Sequence, residues 1–195
     1  MKLSQIKQLS QTKYLPIIRP KSEEVLCALL RQNAPRKILE VGTFYGYSGA
    51  VMLHCCKEAE LCTIEKNAEN AAIAKQTFTD EQVADRVRLI ESDAMDAMCM
   101  LESQGEKFDF IFLDGAKGQY VKYLPHLKSL LNKGGILLAD DISFHGYVAE
   151  QTVKHKHRTI VNNLKKFISQ VTSDNDFESE VLEIEDGLLI ARKTK

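Results

Sequence analysis

Five short apolar runs, each followed by an amphipathic stretch, limit this chain to very few architectures. "KILEVG" (37–42), "LCTIE" (61–65), "VRLIES" (87–92), "FDFIFLD" (108–114) and "GGILLAD" (134–140) are dominated by consecutive apolar residues, the pattern of strands buried on both faces. Between and after them come stretches with helical spacing: the segment holding Val51, Met52, Cys55 and Cys56 on one face, then "NAENAAIAKQTF", "DAMDAMCMLES", "YVKYLPHLKSLL" and a long helix with Ile160, Val161, Leu164, Phe167, Ile168 and Val171. Strand–helix alternation of this kind predicts an α/β chain with a doubly wound, mostly parallel sheet. The tail departs from the rule. "FESEVLEI" and "LLIARK" flank Asp186-Gly187, a two-residue hairpin signal, so the sheet is expected to finish with an antiparallel strand.

With 195 residues and 44% hydrophobic content the chain has enough apolar material for one substantial core, and residues 1–195 are expected to form a single domain. Residues 1–34 read as a helical extension, with Ser22 capping a helix whose first turn holds Glu23 and Glu24 and which Pro35 ends. The formal net charge of -1 supplies no global attraction to nucleic acid or anionic membrane. Five cysteines, odd in number and without a C-x-x-C, sit in apolar segments, which reads as a reduced, intracellular protein. Neither a signal-peptide core nor a membrane-length apolar run is present, and the expected location is cytoplasmic.

The first strand runs into "LEVGTFYGYSG", which places Gly42, Gly46 and Gly49 where a backbone without Cβ lets a ligand approach a helix N-terminus. The spacing is G-x-x-x-G, so neither a dinucleotide fingerprint nor a P-loop fits. Glu65 ends the second strand, where a carboxylate can accept hydrogen bonds from both ribose hydroxyls. Adenosine is implied and a diphosphate is not. The bland alternative, a tight turn and a solvated acid, holds for each residue singly. Together, Glu40-x-Gly42-x-x-x-Gly46 and the acid closing strand two resemble the cofactor signature of class I methyltransferases that use S-adenosyl-L-methionine. That resemblance spans about Pro35 to Lys195 and implies a Rossmann-like, doubly wound seven-stranded sheet with an antiparallel C-terminal hairpin strand.

Two further strands end in acids: Asp114 opens "DGAKGQY", and Asp140 and Asp141 close "ADD". Neighbouring parallel strands end at one edge, so three carboxylates are expected to gather, and that many anions call for a cation. All-oxygen ligation favours Mg²⁺, with Mn²⁺ or Ca²⁺ as alternatives. Taken alone, each acid reads more readily as a helix cap than as a metal ligand. "DGAKGQY" and "ADDI" are similar to the metal-dependent O-methyltransferases of the catechol and caffeoyl-CoA type. This resemblance implies Asp114, Asp140 and Asp141 as metal ligands, with an aspartate at 141 where the family has asparagine, and Lys117 as general base. It also implies Phe44 and Ser48 near the methionine part of the cofactor, with Gly42 beneath it. Asp93 and Ala94 stand where relatives hold adenine with a serine, and Asp114 itself borders the cofactor. A homodimer is implied as well.

The acceptor is open between two classes. Lys154, His155, Lys156, His157 and Arg158, with Arg19 and Lys21, suggest a phosphate-binding surface, and bacterial relatives that methylate hydroxyuridine in tRNA are similar through "DGAKGQY". The same charge run reads more readily as a solvated loop and helix start, since charge runs usually face water. A small phenolic or catechol-like molecule suits bidentate chelation, with Phe44, Tyr47, Phe144 and Tyr147 to pack a ring. His54 reads as a packed or surface residue, and His145 as a residue near the metal edge outside the ligand set. A non-catalytic cofactor-binding module is the different-class alternative, and a nicotinamide dehydrogenase is disfavoured by the glycine spacing.

Overall fold

The computed structural model describes residues 1–13, 15–144, 146–149 and 154–195. Contacts divide the chain into two compact units, Met1–Ala97 and Met98–Lys195. In the first, strands β1 (Lys37–Val41), β2 (Glu60–Glu65) and β3 (Val87–Glu91) pair in parallel in the order β3-β2-β1, with Leu39 opposite Cys62 and Cys62 opposite Arg88. Parallel neighbours need crossover connections, supplied by helices α3 (Tyr47–Cys55) and α4 (Ala68–Asp80). Helices α1 (Leu3–Lys13) and α2 (Pro20–Asn33) precede the sheet. Glu81 ties this unit together: it accepts from the Leu3 backbone N–H at 2.9 Å and lies 2.8 Å from His54 Nε2, which makes His54 a surface hydrogen-bond partner of that carboxylate.

Two local expectations are corrected here. Helix α2 begins at Pro20 with Arg19 as its N-cap, and Ser22 is buried within the first turn instead of capping it. Proline explains the difference, because its fixed φ and missing N–H suit the first helical position, where the donor would have had no partner. Helix α3 has no single apolar face: every residue from Tyr47 to Leu53 is buried, and Cys56 lies just past its end. A helix apolar all round belongs in the interior.

In the second unit β4 (Phe108–Leu113) and β5 (Leu131–Ala139) run parallel, β7 (Leu188–Lys193) pairs antiparallel with β5, and β6 (Phe177–Leu182) pairs antiparallel with β7. The expected antiparallel strand is thus β7, one place in from the edge. Its turn is longer than the Asp186-Gly187 signal predicts: Leu182 is opposite Leu188, so residues 183–187 all belong to the loop. Both ends of that loop's last turn are left-handed, Glu185 at φ 50° and Gly187 at φ 82°. Helix α6 (Tyr120–Leu130) follows β4, and α7 (Arg158–Thr172) buries Val161, Leu164, Phe167 and Val171, about 1.5–3 kcal/mol for each such side chain. Helix α5 (Ala94–Ser103) links β3 to this part of the chain. Along the sheet the seven strands are ordered β3-β2-β1-β4-β5-β7-β6, the mixed, mostly parallel arrangement expected from the sequence. Among the described residues no helix is long and apolar enough to cross a membrane.

Candidate active site

The turn after β1 is built around two carboxylates, Glu40, which is buried, and Glu65, which is half-buried. Glu40 is wholly buried and accepts from Ser48 Oγ at 2.5 Å and Thr63 Oγ1 at 2.6 Å, while Thr63 also meets Thr43 Oγ1 at 2.5 Å. Each partner neutralises part of the cost of a buried charge. Glu40 and Ser48, both expected at the cofactor, are therefore tied to one another. Gly42, at φ 104°, donates its N–H to Ile64 O at 3.1 Å, continuing the ladder into the turn. Phe44 is left-handed, at φ 48°, and its N–H donates to Glu65 Oε2 at 2.8 Å. The other Glu65 oxygen accepts from the Asn67 N–H at 2.9 Å. One amide per oxygen fixes the carboxylate and leaves lone pairs for further donors.

The glycines divide by role. A Cβ at Gly46 would stand 3.0 Å from Phe78 and 3.2 Å from Ala74, and one at Gly49 would stand 2.8 Å from Leu61 and 3.0 Å from Glu40. A side chain there would meet the protein's own atoms, so close packing of α3 requires glycine at both positions. Asp93 accepts from the Met95 N–H at 2.9 Å, and its carbonyl accepts from Ala97, so it opens α5 with Ala94 as the first helical residue. Tyr47 is buried with its hydroxyl donating to Glu23 at 2.8 Å, and its pKa is raised by burial and by that acid. It is a core residue and offers no ring surface to an acceptor. Phe44 stacks on Tyr45 with centroids 4.0 Å apart.

The second unit carries the other expected cluster. Asp114 follows β4, and Lys117, three residues on, opens a short 3-10 turn (Lys117–Gln119) ahead of α6. Lys117 Nζ lies 3.2 Å from Asp114 Oδ1 and 3.0 Å from Asp141 Oδ2. Helix α7 holds this turn, since Asn163 Nδ2 donates to Gly118 O at 2.7 Å. Asp140 is buried, and its Oδ1 accepts from the Asp141 N–H at 2.8 Å. Asp141 itself is left-handed, at φ 55°.

Below them Tyr120, fully buried, donates to Leu113 O at 3.2 Å or Asp140 O at 3.4 Å, one hydroxyl spanning both strand ends. Sequence reasoning missed it. Its only signal is the closing residue of "DGAKGQY", and nothing there shows that it turns inward.

Charge is unevenly answered in this cluster. Three carboxylates face one ammonium. Burial, then the Asp114 and Asp141 anions, push the Asp140 carboxyl up to about 7. Asp114 is raised by burial and by Asp141 against the pull of Lys117. Burial would lower Lys117, but the Asp114 and Asp141 anions outweigh it and hold the amine as an ammonium. The donor chemistry fits a hard divalent cation: oxygen ligands, excess negative charge, and a lysine already standing in as counter-ion. Asp114 and Asp141 flank the lysine, and the ligand atoms of the three carboxylates do not close into one tight set. Among the described residues, only Cys99, Glu102 and His126 have His, Cys, Asp or Glu ligand atoms all within 4.8 Å of one another. There His126 Nδ1 and Glu102 already satisfy each other at 2.7 Å, and Cys99 is exposed.

Of the residues expected to choose the acceptor, Lys154, His155 and Arg158 are exposed at the start of α7, and Phe144, Tyr147 and His157 form a ring cluster, with Tyr147 and His157 stacked at 5.2 Å. His145 lies outside the described residues, and so does most of the stretch after Ala149 that leads into Lys154.

Comparison with known proteins places this geometry. The chain is 29% identical over 175 residues to a caffeoyl-CoA O-methyltransferase of Populus kitakamiensis, covering 86% of this chain and 74% of that protein. It is 32% identical over 127 residues to the catechol O-methyltransferase of Sus scrofa, covering 63% of this chain and 68% of the relative. The crystal structure of an O-methyltransferase from Bacillus cereus in complex with SAH shares the fold at a TM-score of 0.88 and 24% identity, with 98% of this chain and 90% of that one covered. Residues 2–194 match the O-methyltransferase family, and the chain belongs to it.

Proposed function

We propose that the chain transfers a methyl group from S-adenosyl-L-methionine to a hydroxyl of an acceptor held on a divalent cation, Mg²⁺ or in its place Mn²⁺ or Ca²⁺. One observation carries the reading: Asp114 and Asp141 both pair with Lys117, buried Asp140 beside Asp141 adds a third carboxylate, and burial aggravates the excess of negative charge. S-adenosyl-L-methionine supplies an electrophilic methyl, and a relative of the same fold is described in complex with SAH. The ribose hydroxyls donate to Glu65, whose carboxylate the Phe44 and Asn67 amides hold in place. Gly42 and Phe44 shape the turn beside it, and Asp93 and Ala94 take the base side.

Asp114, Asp140 and Asp141 would hold the cation, which when bound lowers the pKa of an acceptor hydroxyl. Lys117 Nζ is the group placed to take the hydroxyl proton. Its ammonium form here answers the same anions that the cation would neutralise. Tyr120 fixes both strand ends from below and so keeps Asp114 and Asp140 in register.

The acceptor is a phenolic molecule with adjacent oxygens, the class named by the caffeoyl-CoA and catechol relatives. A second reading, hydroxyuridine in tRNA, draws on exposed Lys154, His155 and Arg158. One experiment tests both: methyl-labelled cofactor with Mg²⁺, a catechol panel in one arm and bulk tRNA in the other, each repeated with chelator. Label must reach one acceptor and stop with chelator. Lys117→Ala is expected to cut turnover about a hundredfold or more while cofactor affinity stays level. Chelator-resistant transfer overturns the cation, and full activity in Lys117→Ala removes the lysine.

A further inference from the structure

The turn bearing Asp140 and Asp141 does not stand alone. Directly after it, the Ile142 N–H donates to Gly187 O at 3.2 Å and the Ser143 N–H donates to Asp186 O at 2.8 Å. Both acceptors belong to the β6–β7 loop, more than forty residues on in sequence. Antiparallel pairing brings them there: Ala139, the last residue of β5, is opposite Leu189 of β7, so the chain leaving β5 must pass over the loop's end. Contact at that crossing is tight. Ile142 is buried, Asp186 is buried, and a Cβ at Gly187 would stand 2.3 Å from Ser143 Oγ and 3.0 Å from Ile142 Cγ1. Gly187 also has φ 82°, a left-handed geometry that a side chain disfavours.

Asp141 adopts a similar conformation without being glycine or asparagine. Such a residue persists only where its surroundings fix it on both sides. On the near side its N–H is held by Asp140 Oδ1, and on the far side Ile142 and Ser143 are held by the loop.

We propose that the β6–β7 loop is the positioning element of the acidic turn: Gly187, by its closeness to Ile142 and Ser143, fixes left-handed Asp141 and so the spacing of the carboxylates that take the cation. Gly187 is a positioning residue, and the inference rests on the cation reading above.

Calorimetric titration of the full chain with Mn²⁺ tests it, alongside hydrogen exchange at the Ile142 and Ser143 amides and titration with S-adenosyl-L-methionine. Gly187→Ala is expected to weaken Mn²⁺ about tenfold, the scale of placing an L side chain in this backbone region, and to speed exchange at both amides. Cofactor affinity should change less than about twofold, within the error expected of independent sites. Adding Ser143→Gly to Gly187→Ala removes the obstruction and should recover part of the Mn²⁺ affinity, which a general loss of stability would not do. If Gly187→Ala does not fold, Ser143→Val puts the obstruction on the other side of the same contact and should behave alike. Equal Mn²⁺ affinity or unchanged exchange in the folded variants overturns the clamp. Wild-type protein that takes no Mn²⁺ overturns the cation reading itself, and the clamp on carboxylate spacing falls with it.

Discussion

Lys128 sits between Asp174 and Asp176, at 2.6 and 2.8 Å, and Lys117 sits between Asp114 and Asp141, at 3.2 and 3.0 Å. The residue types are the same, and both clusters lie in the second unit. Their electrostatics run opposite ways. At Lys128, where Lys195 Nζ, 3.6 Å from Asp176, supplies the second cation, the hydrogen bonds hold both carboxyls below their ordinary range and the lysine above its own, as a matched cluster in contact with water should. At Lys117 burial withdraws water, Asp140 adds a third anion, and carboxyl groups are pushed up instead. One cluster is at rest as it stands, and the other favours an additional positive charge. The difference is set by burial and by the count of anions per cation, neither of which shows in a D-x-x-K spacing.

The largest effect comes from removing that imbalance. Asp140→Asn takes one negative charge from the crowded cluster while keeping the side chain's shape and an oxygen to accept the Asp141 N–H. Methyl transfer is expected to fall about a hundredfold or more, since even outer partners of metal ligands cost roughly 10–100-fold when lost. Folding stability in chelator should hold or rise, because a repulsion has gone. Methyl-transfer assays and urea unfolding measure the two together. Lost stability with retained activity would make Asp140 a structural acid like Asp174.

Glu65 supplies a third case, a carboxylate answered by amides and without a lysine in the bonds described. Its loss should act on the cofactor alone. Glu65→Ala removes charge-assisted bonds of about 1.5–3 kcal/mol, so the Kd for S-adenosyl-L-methionine is expected to rise roughly ten- to a hundredfold by calorimetry. Mn²⁺ affinity should not move. An unchanged cofactor Kd would leave Glu65 as a brace for left-handed Phe44 and nothing more.

These contrasts also mark how far the fold and the site were legible in the sequence. Strand ends were readable because apolar runs must stop where acids begin, so Glu65, Asp114 and Asp140 fall at the termini of β2, β4 and β5 as the runs require. The sequence brought Lys117 to the turn after Asp114 by a three-residue interval, and the ion pair between them is a finding of the structure. Unreadable were contacts made across the chain. Nothing beside Gly46 in the sequence tells that Phe78, thirty-two residues later, packs so closely that a side chain there would not fit. Nothing local distinguishes Tyr120, turned under two strand ends, from Tyr123, the other tyrosine of its helix. The Asp186-Gly187 signal correctly placed a turn, but its length and its grip on Ser143 come from β5–β7 register, a tertiary property.

The smallest effect tests the resting cluster. Lys128→Met keeps an unbranched apolar stem over the Phe177 ring, where the lysine nitrogen now sits 5.7 Å from the centroid, and removes only the charge. Asp174 and Asp176 have carboxyls lowered by this lysine, so their stabilisation is present above the ordinary aspartate range and is lost as pH falls through the lowered values. Lys128 is raised, so its share is full below the ordinary lysine range and disappears only as pH climbs through the raised value. The two windows overlap across the neutral range. Urea unfolding should therefore show the variant slightly less stable than wild type at pH 7, with the gap closing in acid below the range in which aspartates ionise. The gap should also narrow in high salt, as for other water-exposed ion pairs. A gap that survives both acid and salt would assign the loss to packing on Phe177, and the contrast between matched and unmatched clusters would then rest on Lys117 alone.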